Sequence, residues 1–357
     1  MILLFWGTVA QKWIGLYQAQ QQFFSSWILW VGPINTPWFS LDFQFPTPGG
    51  FSTMALITFS LLVKLCFASP WKLKNCGIMV THVGAFTLLG GGLLTYLFSA
   101  EGNMVLDEGA TSSIFQDYHH CELAVIDTRP KDADLTTAFS GDALSVGATL
   151  QKASLPFKIE ILALYKNTAI LQKTTAIQAH EKGMALRFEI KDRPLDKDEH
   201  NNRAGTRIRI SGLDSQQDGE YLLLEDMGVP QTLQVDGHIF YITLRKIHHQ
   251  LPFSIELIDF EKQVHPGTGM ARSYQSVVNI IEGGAKRKVT ISMNKPLRSH
   301  DYTLYQASFS QVDGRETSVL TVVKNAGRVF PYISSIIICI GILIHLVIQI
   351  PNLMKRG

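Results

Sequence analysis

The sequence predicts an integral membrane protein: about four transmembrane α-helices carrying one large all-β domain on the extracytoplasmic side. Three observations carry this expectation. First, charge is segregated along the 357 residues. Only Lys12, Asp42, Lys64, Lys72 and Lys74 are charged before residue 100, and only Arg328, Lys355 and Arg356 from residue 328 onward, so nearly all of the 32 basic and 30 acidic side chains lie between. Second, the stretches 51–71, 75–100 and 329–351 are apolar, each long enough for the ~20 residues of a helical crossing. Third, 101–328 breaks into short alternating apolar runs separated by turn residues, as half-buried strands do. The net charge of +2 conceals a mildly acidic middle. With no basic stripe and no interleaved aromatics, nucleic-acid binding is not expected.

The elements follow in order. Residues 1–16 make a short first membrane segment. The apolar run Met1–Gln11 is roughly 16 Å long as a helix, against a hydrocarbon core of ~30 Å. It reads as the end of a crossing that starts upstream or as an interfacial anchor, and with no basic residue ahead of it, not as a signal peptide. Residues 17–50 form an outer-side loop, and across Gln11–Gly50 the side chains Trp13, Tyr17, Trp27, Trp30 and Trp38 suit an interfacial aromatic belt. The span 51–71 is interrupted only by Lys64, which can snorkel to the interface. The span 75–100 has no charge. The span 329–351 opens with Pro331, a good first-turn residue, and 352–357 is a cytoplasmic tail. Lys72 and Lys74 between two spans, with Lys355 and Arg356 after the last, place those ends inside. The plasma (inner) membrane, with 101–328 on its periplasmic or outer side, is the expected location.

Within 101–328, strands are expected at Glu122–Asp127, Phe157–Leu164, Ala185–Ile190, Arg207–Ile210, His238–Leu244, Val277–Ile281 and Val289–Met293. Leu155-Pro156-Phe157-Lys158-Ile159-Glu160-Ile161 recurs as Leu251-Pro252-Phe253-Ser254-Ile255-Glu256-Leu257. A β-sandwich-like domain with two similar halves fits that recurrence. The polar run Asp192–Arg203 reads as a solvated loop. Of the four cysteines, Cys66, Cys76, Cys121 and Cys339, only Cys121 falls in the outer domain. No intramolecular disulfide is expected there, and no CxxC exists for dithiol exchange or covalent haem attachment to this chain.

Chemistry concentrates on one residue. His82 lies within an uncharged span, and a metal-ligating side chain in a membrane is costly and functional by default. At ~100° per residue, Ala85, Phe86, Leu89, Leu93 and Tyr96 share its side, while Gly77, Gly84 and Gly91, with Thr81 and Thr95, line the other. Such a glycine row permits close helix contact in lipid. An imidazole flanked by Phe and Tyr suits a haem axial ligand, and it equally suits a histidine bonded to a neighbouring helix. His345 is a second, weaker candidate, at a depth similar to that of His82 and more simply read as a polar packing contact. Outside the membrane, His119-His120-Cys121 and His248-His249 place adjacent side chains on opposite strand faces, a poor arrangement for zinc. No G-x-S-x-G, HExxH or phosphate-binding loop is present.

A series of short motifs then runs through the chain. Gly7-Thr8…Gln11, Gln22-Phe23-Phe24 and Pro48-Gly49 come first, then Thr81-His82-Val83-Gly84 and Gly102…Glu108-Gly109. Leu251-Pro252-Phe253, His265-Pro266-Gly267-Thr268, Ser292-Met293-Asn294-Lys295-Pro296-Leu297, Tyr305-Gln306-Ala307-Ser308 and Asn325-Ala326-Gly327…Pro331-Tyr332 follow. In this order they resemble the ResB/CcsB family of cytochrome c biogenesis proteins over nearly the whole chain. The resemblance implies a system II role: with a ResC/CcsA-type partner, carrying haem b to the outer side, keeping it reduced and presenting apocytochrome c for covalent attachment. It implies that His82 helps to hold haem and that the partner supplies the tryptophan-rich haem-handling motif. This chain would then be the non-catalytic or co-catalytic subunit of a haem lyase. The family's Asn-Pro-Gly before the last span is Asn325-Ala326-Gly327 here. Two alternatives stand beside this: a b-type electron-transfer subunit with His82 and His345 on one haem, and a non-haem membrane scaffold for envelope proteins.

Overall fold

The computed structural model describes the chain except at residues 33, 37, 38, 42, 69–71, 130–134, 266, 268–270, 313, 314 and 355–357. Trp38 of the expected aromatic belt, the end of the span 51–71, Pro266 and Thr268, and Lys355 and Arg356 therefore lie outside the described residues. Two units are distinguished. One comprises Met1–Ala100, Arg298–Thr303 and Val323–Gly357; the other comprises Glu101–Leu297 and Leu304–Val322.

The first unit is largely helical: α1 (Ile2–Ile14), α2 (Leu16–Ala19), α3 (Gly50–Val63), α4 (Cys76–Phe98) and α5 (Phe330–Met354). Among the described residues three helical segments are long and apolar enough to cross a membrane: Gly50–Phe67, Leu73–Phe98 and Phe330–Ile350. The expected fourth crossing is absent from this set. Helix α1 has 13 residues and ends at Gly15, whose φ of 85° breaks the helix, so it falls well short of the ~30 Å core. Beyond Val63 the chain continues in a wider helical turn, Lys64–Ala68, and a 3₁₀ turn at Leu73–Asn75 leads into α4.

The expected outer loop, 17–50, contains more structure than a loop. Ile28–Val31 pairs antiparallel with Phe45–Pro48, and Ile34–Thr36 pairs with Phe39–Leu41. The amide of Gly49 donates to Trp27 O at 3.0 Å, and Ser52 Oγ donates to the same carbonyl at 2.7 Å. A side chain on Gly50 would overlap the Phe24 main chain. The Pro48-Gly49-Gly50 sequence is thus what lets the hairpin return directly into α3.

Helices α4 and α5 meet along the glycine row. A Cβ on Gly77 would overlap the main chain of His345 and come within 2.6 Å of Gly341 O; one on Gly84 would lie 2.7 Å from Ile338 Cγ1. Gly91 faces Phe330, and Gly327 faces Thr95 and Gly91. Thr95 Oγ1 donates to Asn325 Oδ1 at 3.0 Å, tying the turn before α5 to α4. In the Asn325-Ala326-Gly327 turn the residue that packs is Gly327, while Ala326 is exposed, so alanine is accommodated there.

The second unit is built of β-structure. A four-stranded antiparallel sheet runs Gly219–Leu224, Gly205–Ser211, Lys158–Tyr165, Thr149–Leu150. A ten-stranded sheet centres on Thr111–Asp127 and the long His238–Val264 strand. The two share one core: Ile159, Ile161, Ile208, Ile210 and Leu223 from the smaller sheet with Leu123, Val125, Phe240, Ile242 and Leu244 from the larger. Phe157 meets Phe240 edge-on, ring centroids 5.5 Å apart.

Expectation and structure part in three places here. The recurrent Leu-Pro-Phe segments do not build two similar halves. Both bury alternate apolar residues, but one lies beside the edge of the four-stranded sheet and the other lies inside the ten-stranded one. The repeat is one of strand pattern, not of topology. The strand expected at Ala185–Ile190 begins only at Phe188, after a 3₁₀ turn Gly183–Leu186. His238–Leu244 continues to Val264 straight through Pro252. That proline sits where pairing with Thr111–Asp127 breaks register between Gln250 and Ile255, so no ladder bond is forfeited.

Candidate functional site

His82 is half-buried on α4. Its Nδ1 lies 2.8 Å from Ile78 O, one turn back. A carbonyl oxygen only accepts, so Nδ1 carries the proton in this bond, and in the neutral imidazole Nε2 keeps its lone pair. Nε2 makes no hydrogen bond among the described residues. A ring oriented through one nitrogen and open at the other is the arrangement a metal-ligating histidine requires.

That ring borders an open groove of about 410 Å³, lined by Leu56, Ile57, Ser60, Leu61, Lys64 and His82. Ile57, Leu61 and Lys64 follow at helical spacing and present one side of α3 and its continuation. The groove falls within the usual 300–1,000 Å³ of ligand sites. The wall is aliphatic rather than aromatic, which corrects the flank expected from helical periodicity. Phe86 is not part of the lining. Tyr96, ~21 Å farther along the helix, packs edge-on against Phe51 at a centroid distance of 4.9 Å.

His345 is not among the described residues that line this groove, and its Nδ1 is buried with no hydrogen-bond partner among the described residues. Its main chain lies against Gly77 on the glycine side of α4, whereas His82 projects about 140° from Gly77 and about 160° from Gly84 around the axis. Among the described residues none of α5 lines the His82 groove.

A larger apolar hollow of about 850 Å³ lies among α1, the Gln22-Phe23 turn, the Ile28–Val31 hairpin and the start of α3, lined by Trp6, Trp30, Phe23 and Phe45 among others. Among the described residues its lining contains no titratable or metal-ligating side chain.

The histidines of the β unit have other partners. His119 Nδ1 lies 2.6 Å from Glu199 Oε2, His120 Nδ1 3.0 Å from Asp117 Oδ1, and His249 Nε2 3.1 Å from Asp117 Oδ2. Cys121 Sγ donates to Glu225 Oε2 at 3.4 Å, and burial pushes its thiol up to about 12. Three adjacent residues thus go to three different carboxylates instead of one metal, and Cys121 is a poor thiolate. Burial disfavours the Asp117 carboxylate, but hydrogen bonds from His120, His249 and the amides of His119 and His120 outweigh it and hold the group far below its ordinary range. The same bond to Asp117 raises His120, against partial burial. Sequence reasoning passed over this cluster, because Asp117 and His249 lie 132 residues apart on strands that are neighbours only in the sheet.

The strands from Gly219 onward carry one further signature. The ResB-like family model matches residues 219–317. The stretch runs from Gly219–Leu224, at the edge of the four-stranded sheet, through the long His238–Val264 strand, to the start of the last strand. It bears out the ResB/CcsB resemblance and points to cytochrome c biogenesis. The ResB-like match lies wholly outside α3, α4 and α5, so the helical site stands on its own geometry. A comparison with curated proteins found no match.

Proposed function

We propose that this chain is the membrane subunit of a two-component system II complex that moves haem b to the outer side of the plasma membrane for attachment to apocytochrome c. Its partner would be a ResC/CcsA-type membrane protein. The observation that carries the reading is His82: an intramembrane imidazole whose Nδ1 is held by Ile78 O while Nε2 opens on an apolar groove. These residues fit haem on donor chemistry. A neutral imidazole nitrogen is the common axial ligand, and an apolar wall sets the dielectric around the iron.

In this reading His82, its ring held by the bond to Ile78 O, would hold the haem iron through Nε2. Leu56, Ile57 and Leu61 would supply the apolar wall against it. His345 is outside the groove lining, so any further ligand to the iron would come from the partner. The bound haem supplies the group that is transferred, and covalent attachment takes place on the partner. The β unit, where the ResB-like match lies, receives or positions apocytochrome c.

Deletion of the chain tests this at the level of function. Haem-stained holocytochrome c is expected to disappear from membranes and to return with the wild-type chain but not with His82→Ala. Normal holocytochrome c in the deletion strain overturns the assignment.

A further inference from the structure

We infer that Lys64 is the carboxylate-binding residue of the His82 groove, pairing with a propionate of the porphyrin. The inference rests on the haem reading of His82 and goes beyond it, to how the ligand is oriented in the plane of the groove.

Three facts converge. Lys64 lines the groove together with His82, at the start of the wider turn that continues α3, seven residues after Ile57 and three after Leu61. Second, it has no ion-pair partner among the described residues, and no Asp or Glu occurs between residues 43 and 100. A cation on a membrane span is costly unless it is paired or reaches the interface. Third, the groove offers a particular set of chemistries: a free imidazole nitrogen, an aliphatic wall and one positive charge. A ligand that satisfies all three is a flat apolar disc with a metal at its centre and a carboxylate at its edge. Lys72 and Lys74 lie toward the same end of the helix pair and are not part of the groove lining, which singles out Lys64. An ammonium on a flexible stem suits a carboxylate whose approach varies as the ligand enters and leaves.

The opposing reading is that Lys64 snorkels to a lipid phosphate and touches no porphyrin. Titration of the full chain in phosphatidylcholine nanodiscs, with haem and with haem dimethyl ester, separates the two. The ester keeps the iron and the ring and lacks the carboxylates. The wild type is expected to bind haem roughly tenfold more tightly than the ester, the worth of one charge-assisted hydrogen bond. Lys64→Gln should bind both at the level of the ester, and Lys64→Arg should retain the preference. A wild type without preference, a preference surviving in Lys64→Gln, or an equal loss for both porphyrins overturns the inference. In each of those cases the His82 reading stands if His82→Ala abolishes binding. Binding of either porphyrin that ignores His82→Ala, or none at all, overturns that reading and this inference with it.

Discussion

The two units treat their histidines in opposite ways. In the β unit, His119, His120 and His249 each face a carboxylate, and Asp117 serves two of them at once. In the helical unit His82 bonds a main-chain carbonyl through one nitrogen and keeps the other open, with an unpaired lysine on the same groove. Polar groups that satisfy one another stabilise a fold. A polar group left open on an apolar wall is held ready for something else. The same contrast divides α4 itself: its glycine side is closed by α5, while its histidine side faces a groove.

The closed side is the most sensitive to change. Gly77→Leu must push a side chain into the main chain of α5, where a Cβ alone already overlaps His345. A loss of about 3 kcal/mol or more is expected, as for an over-packed core, read as a lowered unfolding temperature in detergent. Gly90, one residue before Gly91, has nothing within 4 Å of its would-be Cβ. Gly90→Ala should be neutral or up to ~1 kcal/mol stabilising, as alanine is for glycine in a helix. Equal effects at the two positions would mean that the glycine row is not a seam.

The β unit offers a smaller, pH-dependent effect. His120 titrates above its ordinary 6.5 because of Asp117. Its contribution is therefore complete below pH 6.5 and is lost as pH rises through the raised value. Asp117 is depressed below its ordinary 3.8, so its own contribution is present above that pH and fades only in stronger acid. Asp117→Asn should cost roughly 1 kcal/mol near neutrality. It should also flatten the decline above pH 6.5, which His120's exposure limits to a fraction of a kcal/mol. Urea titrations between pH 6 and 8.5 measure both. An unchanged slope in Asp117→Asn would show that the cluster is not coupled as drawn.

Much of this contrast was legible in the residues. Gly77, Gly84 and Gly91 recur at sevens, and that period alone announced a helix seam with His82 turned away from it. Alternation in Arg207–Ile210 and Val277–Ile281 announced strands, because one buried face imposes period two. Other features depend on contacts that no local pattern encodes. The Ile28–Val31 and Phe45–Pro48 hairpin is four residues a side and closes across a long connection. His238–Val264 hides its length behind Pro252, which a sheet tolerates only where the ladder shifts. Lys64 read as a snorkelling residue, since nothing in α3 itself indicates that α4 presents an imidazole beside it.

The central claim is that iron sits on His82 and not on His345. The direct measurement is Soret absorbance per mole of the assembly purified with its ResC/CcsA-type partner, in wild type, His82→Ala and His345→Ala. Loss of the band in His82→Ala with full retention in His345→Ala is the predicted result. An unaltered band in His82→Ala would contradict the account.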